Sequence, residues 1–144
     1  MTNSALTLRP IGRVHSPLKD RTSAPKQGHE GSPEAWLVFD PEFQDGLRDL
    51  AVGDEVLVLT WLDRADRDTL RVHPRDDMSA PLRGVFSTRS QDRPNPIGIH
   101  RVRIAEIARP VRFKVLDLEA FDGTPIIDMK PVLDRDFGDG NFGT

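Results

Sequence analysis

The chain has 144 residues, 37% of them hydrophobic and 30% charged, with a formal net charge of −3. That is the size of one ordinary domain with enough chain to bury a core, and its net charge excludes indiscriminate binding to polyanions. There is no cysteine, which removes disulfides, thiolate catalysis and cysteine metal sites. No apolar run approaches the roughly 20 residues of a membrane helix. The first ten residues lack the charged-then-apolar order of a secretory signal. A cytoplasmic protein is therefore expected.

In chain order, 6–15 reads as an edge-type strand, because proline (here Pro10) is tolerated at edges. Residues 16–33 form a long loop rich in Pro, Gly, Ser and Lys, of a length that is functional or disordered. Residues 35–39 are a short apolar strand. Asp40-Pro41 has the form of a helix N-cap followed by proline in the first turn. Phe43, Leu47 and Leu50 then sit at helical spacing, predicting one short helix over 41–50, which Gly46 weakens. Val52-Gly53-Asp54 is a turn. EVLVLTWL, 55–62, is a strand apolar almost throughout and so expected to be buried on both faces.

Residues 64–81 are polar, irregular and rich in arginine. A short apolar strand is expected over 84–87, then a rigid loop. Residues 100–108 alternate, with Val102, Ile104 and Ile107 inward and arginines outward. Residues 112–118 alternate again, placing Phe113, Val115 and Asp117 on one face. Asp122-Gly123 is a tight turn and 126–132 a last strand. The glycine- and aspartate-rich 134–144 is expected to be a flexible tail. Six or seven short strands with one short helix predict an all-β domain over 1–133. A small antiparallel β-barrel, closed or partly open, is the economical way to remove exposed edges. No GxGxxG follows a strand, and no repeat is present.

Charge is unevenly placed. Residues 61–103 hold nine arginines against six aspartates, a local excess of +3 on an acidic chain. Such a patch suits a local anionic ligand, arginine being the better residue for phosphate and stacking contacts. The alternative is a set of arginine–aspartate surface pairs.

The most informative stretch is GVFSTRSQDRPNPIGIHRVRI, 84–104. Pro94 and Pro96 fix φ and restrict the residues before them, so the segment cannot be helix. It is a rigid loop holding Arg89, Arg93 and Asn95. Arginine forks take carboxylates and phosphates, and an asparagine amide suits a purine edge. The bland alternative is a stiff surface turn with solvated arginines. FDGTP, 121–125, is a turn in which Gly123 permits positive φ. Asp128, inside an otherwise apolar strand, would need a partner such as Lys130 or an arginine if buried. His15, His29, His73 and His100 show no HxH or HxxxH spacing, so no metal is expected. His100 follows the rigid loop and is a candidate base near neutral pH, although a surface histidine is the commoner case.

GVFSTRSQDRPNPIG, followed some two dozen residues later by DGTPIIDMKP, resembles the TsaA/TrmO-like family of S-adenosylmethionine-dependent methyltransferases. IGRVHSPLKD, the APKQ loop and the apolar strand before Trp61 match as well, so the likeness runs from Ile11 to Pro131. The resemblance implies a small β-barrel that binds S-adenosyl-L-methionine near a homodimer interface. It implies methylation of N6 of threonylcarbamoyladenosine beside the anticodon of tRNA. By motif, Gln27, Gly28, Leu62, Asp63, Arg93, Asp122, Gly123, Thr124 and Pro125 would line the cofactor site. Arg89 and Asn95 would shape the same pocket or the substrate entrance. Two positions depart from the pattern. Leu62-Asp63 stands where members often have a histidine, and His100 where many have a small hydroxyl residue. Bacterial members acting on tRNA carry a further C-terminal domain, which is expected to be absent here.

For the chemistry, N6 of a carbamoyl-adenine is a poor nucleophile until it loses its proton. His100 and Asp63 are the candidate bases, and Arg89 the partner of the substrate carboxylate. Two other functions fit the same residues. One is a non-catalytic module binding S-adenosylmethionine or a nucleotide; the other is a methyltransferase for a small molecule.

Overall fold

The computed structural model describes residues 5–17 and 33–133. Among the described residues eight strands are formed: β1 (Gly12–His15), β2 (Glu34–Phe39), β3 (Glu55–Trp61), β4 (Arg71–Val72), β5 (Arg83–Gly84), β6 (Ile97–Ala108), β7 (Arg112–Leu116) and β8 (Pro125–Pro131). Six close into an antiparallel barrel in the order β1-β2-β7-β6-β3-β8, and β4 and β5 pair separately as a hairpin. Closure rests on a short seam, because β1 meets β8 only at Gly12↔Ile126 and Arg13↔Pro125.

Alternating side chains fill the barrel. Val14, Leu37, Phe39, Val56, Val58, Val102, Ile104, Phe113, Val115 and Ile126 are buried in one cluster. Phe39 and Phe113 meet edge to face, with ring centroids 5.8 Å apart, a favoured geometry for aromatic pairs. The expected inward position of Ile107 is out of phase with Val102 and Ile104. A bulge between Ile104 and Glu106 supplies the extra residue, and Ile107 then pairs with Phe113.

Several elements differ from expectation. The first strand is not an edge: it starts at Gly12 and pairs on both sides, which leaves Pro10 outside the ladder. The helix is a 3₁₀ helix over Pro41–Leu47, and the Asp40 side chain does not cap it. The expected strand over 84–87 is a two-residue strand followed by a 3₁₀ turn, Val85–Ser87. There the hydroxyls of Ser87 and Thr88 donate to the carbonyls of Gly84 and Val85 and bend the chain. The sixth strand begins three residues early, at Ile97, directly after Pro96. Asp117 is exposed at φ 71, past the end of β7, instead of sharing the face of Phe113. The strand 55–62 is fully buried on its inner face, whereas Leu59 and Trp61 on the outer face are half-buried. Asp128 is also on the outer face, in a salt bridge with Lys130 at 3.0 Å. Residues 134–144 lie outside the described residues. Among those described, no helix is long and apolar enough to cross a membrane.

Gly12, one of the two β1 residues in the seam, tolerates no side chain against β2 on its other side. An added Cβ would lie 2.5 Å from the Val38 carbonyl oxygen and 2.8 Å from the Phe39 Cα, both backbone atoms. Gly12→Ala should destabilise the fold by about 3 kcal/mol, the upper end for overpacking. Gly46→Ala, whose Cβ would meet nothing within 4 Å, should leave the urea midpoint nearly unchanged. Equal midpoints for the two variants would contradict this account of closure.

Candidate functional site

Antiparallel pairing brings one end of six strands together: the ends of β1, β3 and β7 and the starts of β2, β6 and β8. The segments 16–33, 62–96 and 117–124 all leave or enter at this mouth. Apart from His100, which lies within β6, and Pro125, which opens β8, every site residue expected from the sequence lies in one of them. The barrel interior changes character here too. The far end is aromatic and aliphatic, whereas the buried polar residues, Ser16, Thr60 and Thr124, cluster toward the mouth.

His100 belongs to this inner polar layer and is half-buried. Its Nε2 lies 3.0 Å from Thr60 Oγ1. Gly98 makes room for the pair, since a Cβ there would lie 2.5 Å from the Thr60 hydroxyl and 2.9 Å from the imidazole. Burial pushes the His100 pKa down to about 4. Both expectations, a base titrating near neutral pH and a surface histidine, are thus corrected, because the ring faces the barrel interior and stays neutral at physiological pH.

Asp122-Gly123-Thr124-Pro125 is built into the seam. Gly123 adopts φ 86, the left-handed conformation that favours glycine. Its amide donates to the Val14 carbonyl, and the Val14 amide donates to the Thr124 carbonyl. Arg13 reaches the Gly123 carbonyl at 3.0 Å, and the Ser16 amide donates to Asp122 Oδ1 at 3.0 Å. The Thr124 hydroxyl closes the turn on the Phe121 carbonyl. Beside this turn lies a cavity of about 820 Å³ lined by Arg13, His15, Ser16, Trp36, Lys114, Asp122 and Gly123, among others. Trp36 carries the Arg112 guanidinium over its ring at 4.7 Å.

Arginines tether the remaining mouth loops. Arg93 points into its own loop, donating to the carbonyls of Val85, Thr88 and Ser90. Arg67 donates to the Pro94 carbonyl at 2.7 Å and to Asn95 Oδ1 at 3.2 Å, and stacks over Trp61. The Asp66 amide donates to Asp92, and the Leu62 amide to the Pro96 carbonyl. Arg64 lies over the Phe121 ring at 4.5 Å, next to Asp122. Leu62 is half-buried and Asp63 exposed on the segment between these tethers. The aspartates mostly accept from turn amides, as Asp66 does from Asp68 and Asp77 from Ser79.

Arg89 goes elsewhere. It lines a second cavity, of about 720 Å³, between the β4–β5 hairpin and the 85–92 loop. The two cavities share no lining residue. Gln27 and Gly28 lie outside the described residues, and among those described no group of acidic or histidine side chains could hold a metal ion. Sequence reasoning missed Arg13, Trp36, Lys114 and Arg67. The outward phase of Trp36 in β2 was legible. Its meeting with His15 and Lys114 depends on the strand order and was not.

A short closed antiparallel barrel with a polar mouth defines a class of small β-barrel proteins. Within that class, residues 13–136 match the tRNA-methyltransferase O N-terminal domain, and the chain belongs to that family. It is 42% identical over 131 residues to a probable S-adenosyl-L-methionine-binding protein of Methanothermobacter thermautotrophicus, covering 91% of this chain and 93% of that protein. It is 44% identical over 125 residues to an S-adenosyl-L-methionine-binding protein of Archaeoglobus fulgidus, covering 87% and 88%. The crystal structure of TrmO from Pseudomonas aeruginosa is similar, with a TM-score of 0.74 and 26% identity over 99% of this chain. This chain spans 62% of that structure's length.

The depressed pKa of His100 gives a signed prediction. A histidine in the unfolded chain titrates near 6.5, against about 4 when folded, so the unfolded state binds the extra proton in between. Stability is full above about pH 6.5 and falls as pH drops toward 4, by about 2–3 kcal/mol. His100→Gln should flatten the urea midpoint across this window relative to the parent chain. Parallel curves would contradict a buried neutral ring.

Proposed function

We propose that this chain binds S-adenosylmethionine at the DGTP seam and methylates N6 of threonylcarbamoyladenosine beside the anticodon of tRNA. The observation that carries the reading is the seam turn itself. Asp122 and Gly123, matched by motif to the family's cofactor residues, border a ligand-sized cavity with complementary chemistry. The Asp122 carboxylate offers negative potential for a sulfonium. The Trp36 face opposite Arg112 offers a surface for a flat or cationic group, and an amino-acid carboxylate would draw on Arg13, now on the Gly123 carbonyl, and on Lys114, now paired with Glu34 at 3.5 Å and Glu106 at 3.9 Å. Bound there, the cofactor would supply an electrophilic methyl group.

The chain's own residues then have distinct tasks. Asp122 and Gly123 hold the ligand, while Thr124 and Pro125 set the turn. Gln27, Gly28, Leu62 and Asp63 are assigned to the cofactor by motif, and Leu62 and Asp63 stand at the end of β3, outside the lining of this cavity. Asp63, exposed at the mouth, is the better placed of the two candidate bases for taking the N6 proton. His100 holds Thr60 and the floor of the mouth instead. Arg93 and Asn95 act as positioning residues, fixing their loop without touching ligand. Orientation of this kind is where a methyl transfer with no covalent intermediate gains most.

A homodimer is part of the proposal. On the outer face Trp61 pairs with Ile97 and Leu59 with Ile99, and Ile97 is 41% exposed. An apolar strip of this kind suits a second copy of the chain.

Calorimetric titration with S-adenosylmethionine should show binding by the parent chain, which should run as a dimer by light scattering. Asp122→Asn should weaken binding about tenfold or more, because it removes a charged partner. Methyl transfer to tRNA bearing threonylcarbamoyladenosine should follow. Binding without turnover on that tRNA would favour the non-catalytic module, the reading that the relatives' names also allow. Absence of binding would remove both.

A further inference from the structure

The second cavity carries an assignment of its own. It is lined by Arg75, Arg83 and Arg89 against one carboxylate, Asp92. Among the described residues, none of these three arginines has an ion-pair partner. Two large apolar side chains stand out of the same lining, Phe86 at 78% and Met78 at 75% exposure. Folding does not demand this, since the 3₁₀ turn that carries Phe86 anchors itself through Val85, which is 1% exposed. The loop is also stiff. Arg93 clamps three of its carbonyls and the Thr88 hydroxyl is bonded internally, so the backbone that carries Phe86 and Arg89 has little entropy left to lose.

We infer that this cavity is a docking site for a single-stranded segment of RNA, with one base stacked on Phe86 and neighbouring phosphates held by Arg75, Arg83 and Arg89. A fixed aromatic face beside cationic forks is the arrangement that binds single-stranded nucleic acid. The local positive excess on an acidic chain selects for a polyanion. An acidic peptide would use the arginines but has no general need of the aromatic face. The inference rests on the reading of RNA as substrate and adds where the strand lies, away from the nucleotide that is methylated.

The test uses a fluorescently labelled, unmodified anticodon stem-loop RNA, with affinity followed by anisotropy across a salt series. Phe86→Ala should weaken binding about tenfold, the loss of one stacked base. R75Q/R83Q should lower the salt slope by about 1.4, two phosphate contacts to a single strand. Both variants should keep the parent affinity for S-adenosylmethionine and the parent unfolding midpoint, which excludes a folding defect. If the parent chain binds this RNA and both variants bind it equally well with an unchanged slope, the docking site is wrong and the tRNA reading survives. If the parent chain binds S-adenosylmethionine but not this RNA at low salt, the RNA reading falls and the docking site with it.

Discussion

The barrel closes through two residue pairs, and the residues that close it are also the ones that border the candidate site. Val14 gives both its backbone groups to the 123–124 turn, the Ile11 amide donates to the Ile126 carbonyl, and Ser16 uses its amide on Asp122. Because the seam is so short, these bonds decide whether β1 stays on β8. Any ligand that contacts Asp122 and Gly123 therefore reads and reinforces the closure of the fold. A glycine at position 12 completes the arrangement by letting β1 lie directly against the β2 backbone.

Around this seam the arginine-rich middle of the chain divides its labour. Arg93, Arg67 and Arg64 are structural, spending their charge on carbonyls, an amide oxygen and aromatic faces. They stand in for the regular hydrogen bonding that the loop between β5 and β6, with its two prolines, cannot provide. What remains at Arg75, Arg83 and Arg89 faces a separate cavity. The +3 excess of residues 61–103 is thus not one patch, and Arg101 and Arg103 lie apart on the outer face with Glu55.

Most of the barrel is legible from alternation alone. β2, β7 and the later part of β6 present Leu37, Phe113, Val115, Val102 and Ile104 where a period of two puts them. Strand order is not legible, and it is strand order that assembles the mouth from three distant segments. The motif DGTP was visible as a turn, but its role in closure depends on β8 returning to β1. Arg93 shows the limit most sharply. Its residue type and its rigid loop point to ligand contact, whereas its bonds to three nearby carbonyls could not be read from the sequence. The setting of His100 follows from phase: its neighbours Arg101 and Arg103 face solvent, so it faces inward with Val102 and Ile104.

Site-resolved amide hydrogen exchange, with and without saturating S-adenosylmethionine, tests the central claim most directly. The claim is that the closing seam is the cofactor site and the arginine-lined cavity is not. The account predicts slowed exchange at Val14, Ser16, Gly123 and Thr124, with little change at Thr88 and Ser90. Slowed exchange confined to 72–92, or no change at the seam in the presence of bound ligand, would contradict it.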